Sequence, residues 1–168
     1  GYLRYLPTPE VYQNHFLTLR VDQDISPENL AEQLYQMGYV RDTIVTRTGE
    51  FAVRGFVIDV FPLGSDHPAR FEFFGDTIDS IRYFEEESQK SIQEVKDVAI
   101  RPYSEFLLDS NQTIEEEKRK QKYLKEYSSS VASISDYLKS SILCFKDYTQ
   151  LEITYRSILE EATSYRRD

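Results

Sequence analysis

The stretch Gly49-Glu50-Phe51-Ala52-Val53-Arg54-Gly55-Phe56-Val57-Ile58-Asp59-Val60-Phe61-Pro62 decides how this chain is read. Glu50 to Arg54 and Phe56 to Phe61 are β-branched and aromatic runs broken by Gly55, the spacing of two strands joined by a tight turn. Downstream, beyond a polar loop from Pro62 to Pro68, the runs Ala69 to Phe74 and Thr77 to Phe84 flank Gly75-Asp76, a pair suited to a hairpin. Val95 to Arg101 reads as a last strand, and Thr43 to Arg47, before a turn at Thr48-Gly49, as one that leads into the meander.

Further upstream, Leu17, Leu19 and Val21 alternate with Phe16, Thr18 and Arg20, which predicts a strand over His15 to Val21. Ser26 then stands as a helix N-cap with Pro27 at the first helical position; Leu30, Leu34 and Met37 share one face, and Gly38 is the stop. Pro7 and Pro9 make Gly1 to Glu10 an extended connector. Strands joined by short turns with one helix inserted early predict an α+β fold: a mostly antiparallel sheet with one short amphipathic helix, followed by a helical C-terminal segment.

That C-terminal segment differs in composition. Residues 1–110 carry 10 Lys+Arg against 19 Asp+Glu, whereas residues 111–168 carry 10 of each and lack Gly and Pro. Thr113 to Tyr127 is a charged helical pattern, with Glu115, Glu116 and Glu117 ahead of Lys118, Arg119 and Lys120. Ser133 to Lys146 and Leu151 to Tyr165 read as two more helices, the latter with Leu151, Tyr155, Ile158, Leu159 and Ala162 on a stripe. The expected division is a domain over 1–106 and a helical segment over 107–168.

Composition narrows the function. A chain of 168 residues with 40% hydrophobic and 29% charged residues can bury one sizeable core. With 13 Tyr and 10 Phe but no Trp, an aromatic side chain by itself signals packing. A net charge of -9 opposes a protein built to grip phosphate backbones. Cys144 is the lone cysteine, and with only His15 and His67 beside it no zinc-type spacing exists. No apolar run approaches the roughly 20 residues that span a bilayer and no leader opens the chain, so a cytoplasmic chain without membrane contact is expected. A first residue other than Met points to a piece of a longer protein.

Catalytic signatures are equally scarce. There is no G-x-x-x-x-G-K-[ST] loop, and the six glycines stand singly, so a nucleotide-driven enzyme is not expected within this chain. Glu85, Glu86 and Glu87 read as a solvated turn, and Asp59 and Glu72, inside strands, as carboxylates facing water. Neither histidine is tied by spacing to a serine or to Cys144.

Strand alternation is more informative. Phe51 and Val53 face the core while Ala52 and Arg54 point away; Phe71 and Phe73 face the core while Arg70, Glu72 and Phe74 share the opposite side. A large ring beside arginines on an outward face has the makeup of an interface anchor, although Phe74 could equally pack under the hairpin turn or the tail.

The run from Gly49 to Pro62, then Pro68-Ala69-Arg70-Phe71-Glu72-Phe73-Phe74-Gly75-Asp76 and Ile78-Asp79-Ser80-Ile81-Arg82, closely resembles the UvrB-like module of the bacterial transcription-repair coupling factors (Mfd). The resemblance extends from about residue 7 to 106. UvrB itself carries a similar block, but Ala52, Ser88-Gln89-Lys90-Ser91 and Pro102-Tyr103-Ser104-Glu105-Phe106 look like the coupling factor's pattern.

The resemblance implies a non-catalytic adaptor that binds UvrA, the damage-recognition ATPase of nucleotide excision repair, by imitating UvrB. The family's contacts fall on Arg54, Arg70 and Phe74, with Glu72 suggested by UvrB. It further implies that RNA polymerase, DNA, ATP and Mg are handled by other parts of the full protein, and that this chain needs no cofactor. Residues 107–168 would return to a neighbouring degenerate helicase-like domain, leaving Leu151, Ile158 and Leu159 open to self-association once excised.

Overall fold

The structure is a computed structural model that describes residues 4–107, 120, 123–138, 140–142, 144 and 146–164. Chain contacts divide it into two units, 1–137 and 138–168.

Two helices open in the same way. Thr8 caps α1 (Pro9–Asn14), its side chain accepting from the Val11 amide at 3.3 Å, and Ser26 caps α2 (Pro27–Gln36), accepting from the Asn29 amide at 3.2 Å. In both, proline stands first, where its fixed φ suits the helix and its missing N–H costs nothing. The expected extended connector over Gly1 to Glu10 is therefore replaced at its end by the start of a helix. α2 ends in a Schellman arrangement: the Tyr39 amide reaches the Leu34 carbonyl at 3.0 Å and the Gly38 amide the Tyr35 carbonyl at 3.0 Å. Gly38, at φ +90°, supplies the left-handed residue this closure requires.

The main sheet has six strands in the order β3-β4-β5-β6-β7-β8: Val40–Arg41, Glu50–Arg54, Val57–Val60, Ala69–Phe74, Thr77–Phe84 and Ser91–Val95. All neighbours are antiparallel except β3 and β4, which run parallel. A separate antiparallel pair joins β2 (Leu17–Arg20) to β9 (Asp97–Ile100), and β1 (Leu6–Pro7) pairs with β10 (Val131–Ala132). This is the α+β class read from the sequence, with a mostly antiparallel sheet that has one parallel pairing.

Three strand expectations change. Thr43 to Arg47 is not a strand, because the Glu50 carboxylate accepts from the Thr46 and Arg47 amides at 2.9 Å each and folds the segment into a turn. The expected strand over Val95 to Arg101 is split: Ser91–Val95 extends the sheet, while Asp97–Ile100 leaves it to pair with β2. Among the described residues of the range Ser133 to Lys146, the helical structure is a single 3-10 turn, Ile134–Tyr137. The charged helix expected over Thr113 to Tyr127 lies mostly outside the described residues; its end is the short α3 (Leu124–Tyr127).

One face of the sheet packs against α2 and the β2–β9 pair. Leu19, Leu30, Leu34, Met37, Tyr39, Phe51, Ile58, Val60, Phe71, Ile78, Ile81 and Ile100 are buried together there. Ile78 and Ile81, three apart, both reach this core because a bulge slips the register, pairing Glu72 with Ser80 but Phe73 with Ile78. On the opposite face a second, small cluster forms from Val45, Ala52, Phe61 and Phe84. Ala52 thus lies on the side that alternation assigns it, but it is covered rather than exposed.

In the second unit, α4 (Tyr148–Ser164) covers the expected stripe, and none of its described residues is buried. No helix among the described residues is long and apolar enough to cross a membrane.

Candidate functional site

The meander sets its side chains in rows. Cross-strand pairing aligns Ala52, Asp59, Arg70 and Arg82 in one row and Arg54, Val57, Glu72 and Ser80 in the next, with Phe74 opposite Thr77 beyond them. Since cross-strand partners point the same way, Arg54, Arg70, Glu72 and Phe74 all share the face turned away from the main core.

Phe74 is 84% exposed. It ends β6 at a two-residue turn whose first position, Gly75, has φ +61°, the pattern of a type II′ hairpin. The Gly55-Phe56 turn sits at the same end of the meander, held by a 2.9 Å bond from the Phe73 amide to the Phe56 carbonyl, and Phe56 is also exposed. An edge of the face therefore carries two open rings.

Behind them the charges interlock. Asp59 has no solvent exposure and accepts from two arginines: Arg70 donates through Nε at 2.7 Å and Nη2 at 2.9 Å, and Arg54 donates through Nη2. The Arg70 guanidinium also lies 4.6 Å from the centre of the Phe84 ring, a cation–π contact. Its hydrogen bond to Asp59 holds the Arg70 pKa above the ordinary arginine value. One row on, Glu72 accepts from Arg82 Nη2 and, at 3.0 Å, from Ser80 Oγ. Three guanidiniums against two carboxylates leave this cluster one positive charge in excess, within a chain of net charge -9.

The expectation that Asp59 faces water does not hold, whereas Glu72, on the outward face, keeps 35% of its side chain exposed. Asp59 is buried because the neighbouring strands bring two cations over it, which offsets the desolvation of its charge. Strand alternation alone does not reveal Asp59 and Arg82 as partners of the face, although the pairing of β5 with β6 and of β6 with β7 follows from the turn spacing. Phe56 could have been found from its place in a two-residue turn.

No group of three or more His, Cys, Asp or Glu among the described residues could hold a metal ion, and Cys144 is free and exposed. The surface offers ring, cation and carboxylate side by side, which suits recognition of another protein's surface.

A family model described as the UvrB interaction domain matches residues 17–106, which is 90 of the 168 residues. The chain belongs to this family. The matched segment of this interaction domain runs from β2 past β9 and holds every strand of the main sheet. Among its relatives are transcription-repair-coupling factors. That of Bacillus subtilis strain 168 is 39% identical over 105 residues, or 62% of this chain. Those of Staphylococcus aureus strains RF122 / ET3-1 and USA300 are 41% and 42% identical over 108 residues, or 64% of this chain. The chain spans only 9% of the length of each of these relatives. Each of these three relatives is a coupling factor.

Proposed function

We propose that this chain is the docking module of a coupling factor, a non-catalytic adaptor that recruits UvrA to lesion-stalled RNA polymerase by presenting a UvrB-like surface. The observation that carries the reading is the face itself: an 84% exposed Phe74 on the same side of the sheet as Arg54 and Arg70, on a domain of the UvrB interaction family. Phe74 enters an apolar depression on UvrA, and Arg54 and Arg70 offer planar donors to its carboxylates. Glu72, tied to Arg82, sets the register of charge across the contact. Residues 1–106 form the docking module and 107–168 lead into the neighbouring domain of the longer protein. The full protein is a cytoplasmic ATP- and Mg-dependent DNA translocase that engages DNA and RNA polymerase through its other parts.

Calorimetric titration of UvrA into the 168-residue chain, alongside Phe74→Ala, tests this reading. Saturable binding by the wild type, weakened by about 2 kcal/mol or more in the variant, is expected of a central interface anchor. Equal binding by both folded proteins would remove the assigned face.

A further inference from the structure

We propose that Asp59 and Gln89 are positioning residues for the docking arginines: neither meets the partner, Asp59 holding both Arg54 and Arg70, and Gln89 holding Arg70, in the geometry the partner reads. This rests on the docking role assigned above to that face.

Asp59 cannot itself touch a partner, because it has no solvent exposure. Both its oxygens are engaged from inside the sheet, Oδ1 by Arg70 Nε at 2.7 Å and Oδ2 by Arg70 Nη2 at 2.9 Å and by Arg54 Nη2. The two-point bond fixes the plane of the Arg70 guanidinium, which a single contact would leave free to turn. It also places one negative charge between two positive ones, so that Arg54 and Arg70 stand close without mutual repulsion.

Gln89 secures Arg70 from the loop between β7 and β8. Its Oε1 accepts from Arg70 Nη2 at 3.4 Å, and its amide nitrogen donates to the carbonyls of Glu86 at 2.8 Å and Val45 at 3.2 Å. With both amide hydrogens committed to carbonyls, the oxygen is the end that points to the arginine. The residue adopts φ +57°, uncommon outside glycine, and its own amide closes on the Glu85 carbonyl at 2.8 Å. Arg70 is thus held along one edge by Asp59, on one ring face by Phe84 and at one tip by Gln89. Such a side chain has little freedom left to lose on binding, and preordering of this kind strengthens association without adding contacts.

The role is read from a double-mutant cycle with UvrA as the probe and the full 168-residue chain as host. Asp59→Asn is expected to weaken binding at least tenfold and Gln89→Ala about threefold to tenfold, with Asp59→Glu restoring most of the loss. In an Arg70→Ala background both costs should shrink by more than half, because the group they position is gone. Undiminished costs in that background, or wild-type affinity in both single variants while Phe74→Ala still loses binding, would overturn the positioning role alone. Failure of the wild-type chain to bind UvrA would overturn it together with the docking reading. Should Asp59→Asn not fold, the Gln89→Ala and Arg70→Ala pair decides the matter by the same criteria.

Discussion

The hydroxyl of Tyr39 donates to the Arg101 carbonyl at 2.8 Å and accepts from the Leu63 amide at 3.2 Å, joining the β5–β6 loop to the chain leaving β9. The ring is 2% exposed, and burial pushes the phenol's pKa up to about 12. The unfolded chain, with its tyrosine near 10, releases this proton first, so the folded state holds more protons between pH 10 and 12 and stability falls across that window as pH rises. A loss of about 2–3 kcal/mol is expected from this group. Tyr39→Phe should be less stable near neutrality by about 1–3 kcal/mol, having left two polar groups unpartnered, and should show a shallower alkaline decline. Urea unfolding followed at several pH values measures both.

Gly38→Ala should be among the most damaging single substitutions. A Cβ there would lie 2.2 Å from Ser104 Cβ, beside the Ser104 backbone, in addition to the strain of φ +90°. Gly75→Ala meets no atom within 4 Å and carries only the conformational penalty, about 1–2 kcal/mol. Thermal unfolding of the two variants should separate them clearly, and equal destabilisation would show that Ser104 yields freely.

Phe84→Ala removes a fully buried ring from the small cluster with Val45, Ala52 and Phe61, and with it the surface on which Arg70 rests. A cost of about 3–5 kcal/mol in denaturant unfolding is expected, as for other buried rings. Phe74→Ala, on the exposed end of β6, should change stability by less than about 0.5 kcal/mol.

The two capped helices give a matched pair. Thr8→Ala and Ser26→Ala should each cost about 1 kcal/mol. Guanidinium titrations showing no loss for Thr8→Ala would mean that α1 holds by its packing alone.

Much of the meander was legible because its turns are local: Gly55 and Gly75-Asp76 fix which strands are neighbours, and alternation then assigns Arg54, Arg70, Glu72 and Phe74 to one face. The missed helix start is instructive, since Thr8-Pro9-Glu10 carries the same cap-proline-acid pattern as Ser26-Pro27-Glu28. Two closely spaced prolines favour an extended chain when taken by themselves, whereas Pro9 stands where a helix begins. Long-range partners were hidden for a different reason. That β9 pairs with β2, that Glu50 captures two amides ahead of it, and that Asp59 is enclosed by two arginines all depend on segments brought together only by the finished fold.

The β1–β10 clip sets Leu6 against Ala132 and Pro7 against Val131, so the chain arrives and departs at one place and in opposite directions. Tension applied from both sides of the unit peels these pairs apart one at a time. It does not shear the six-stranded sheet until the clip has opened. A domain mounted in this way is pulled at one corner, so that tension meets this two-pair clip before it meets the six-stranded sheet.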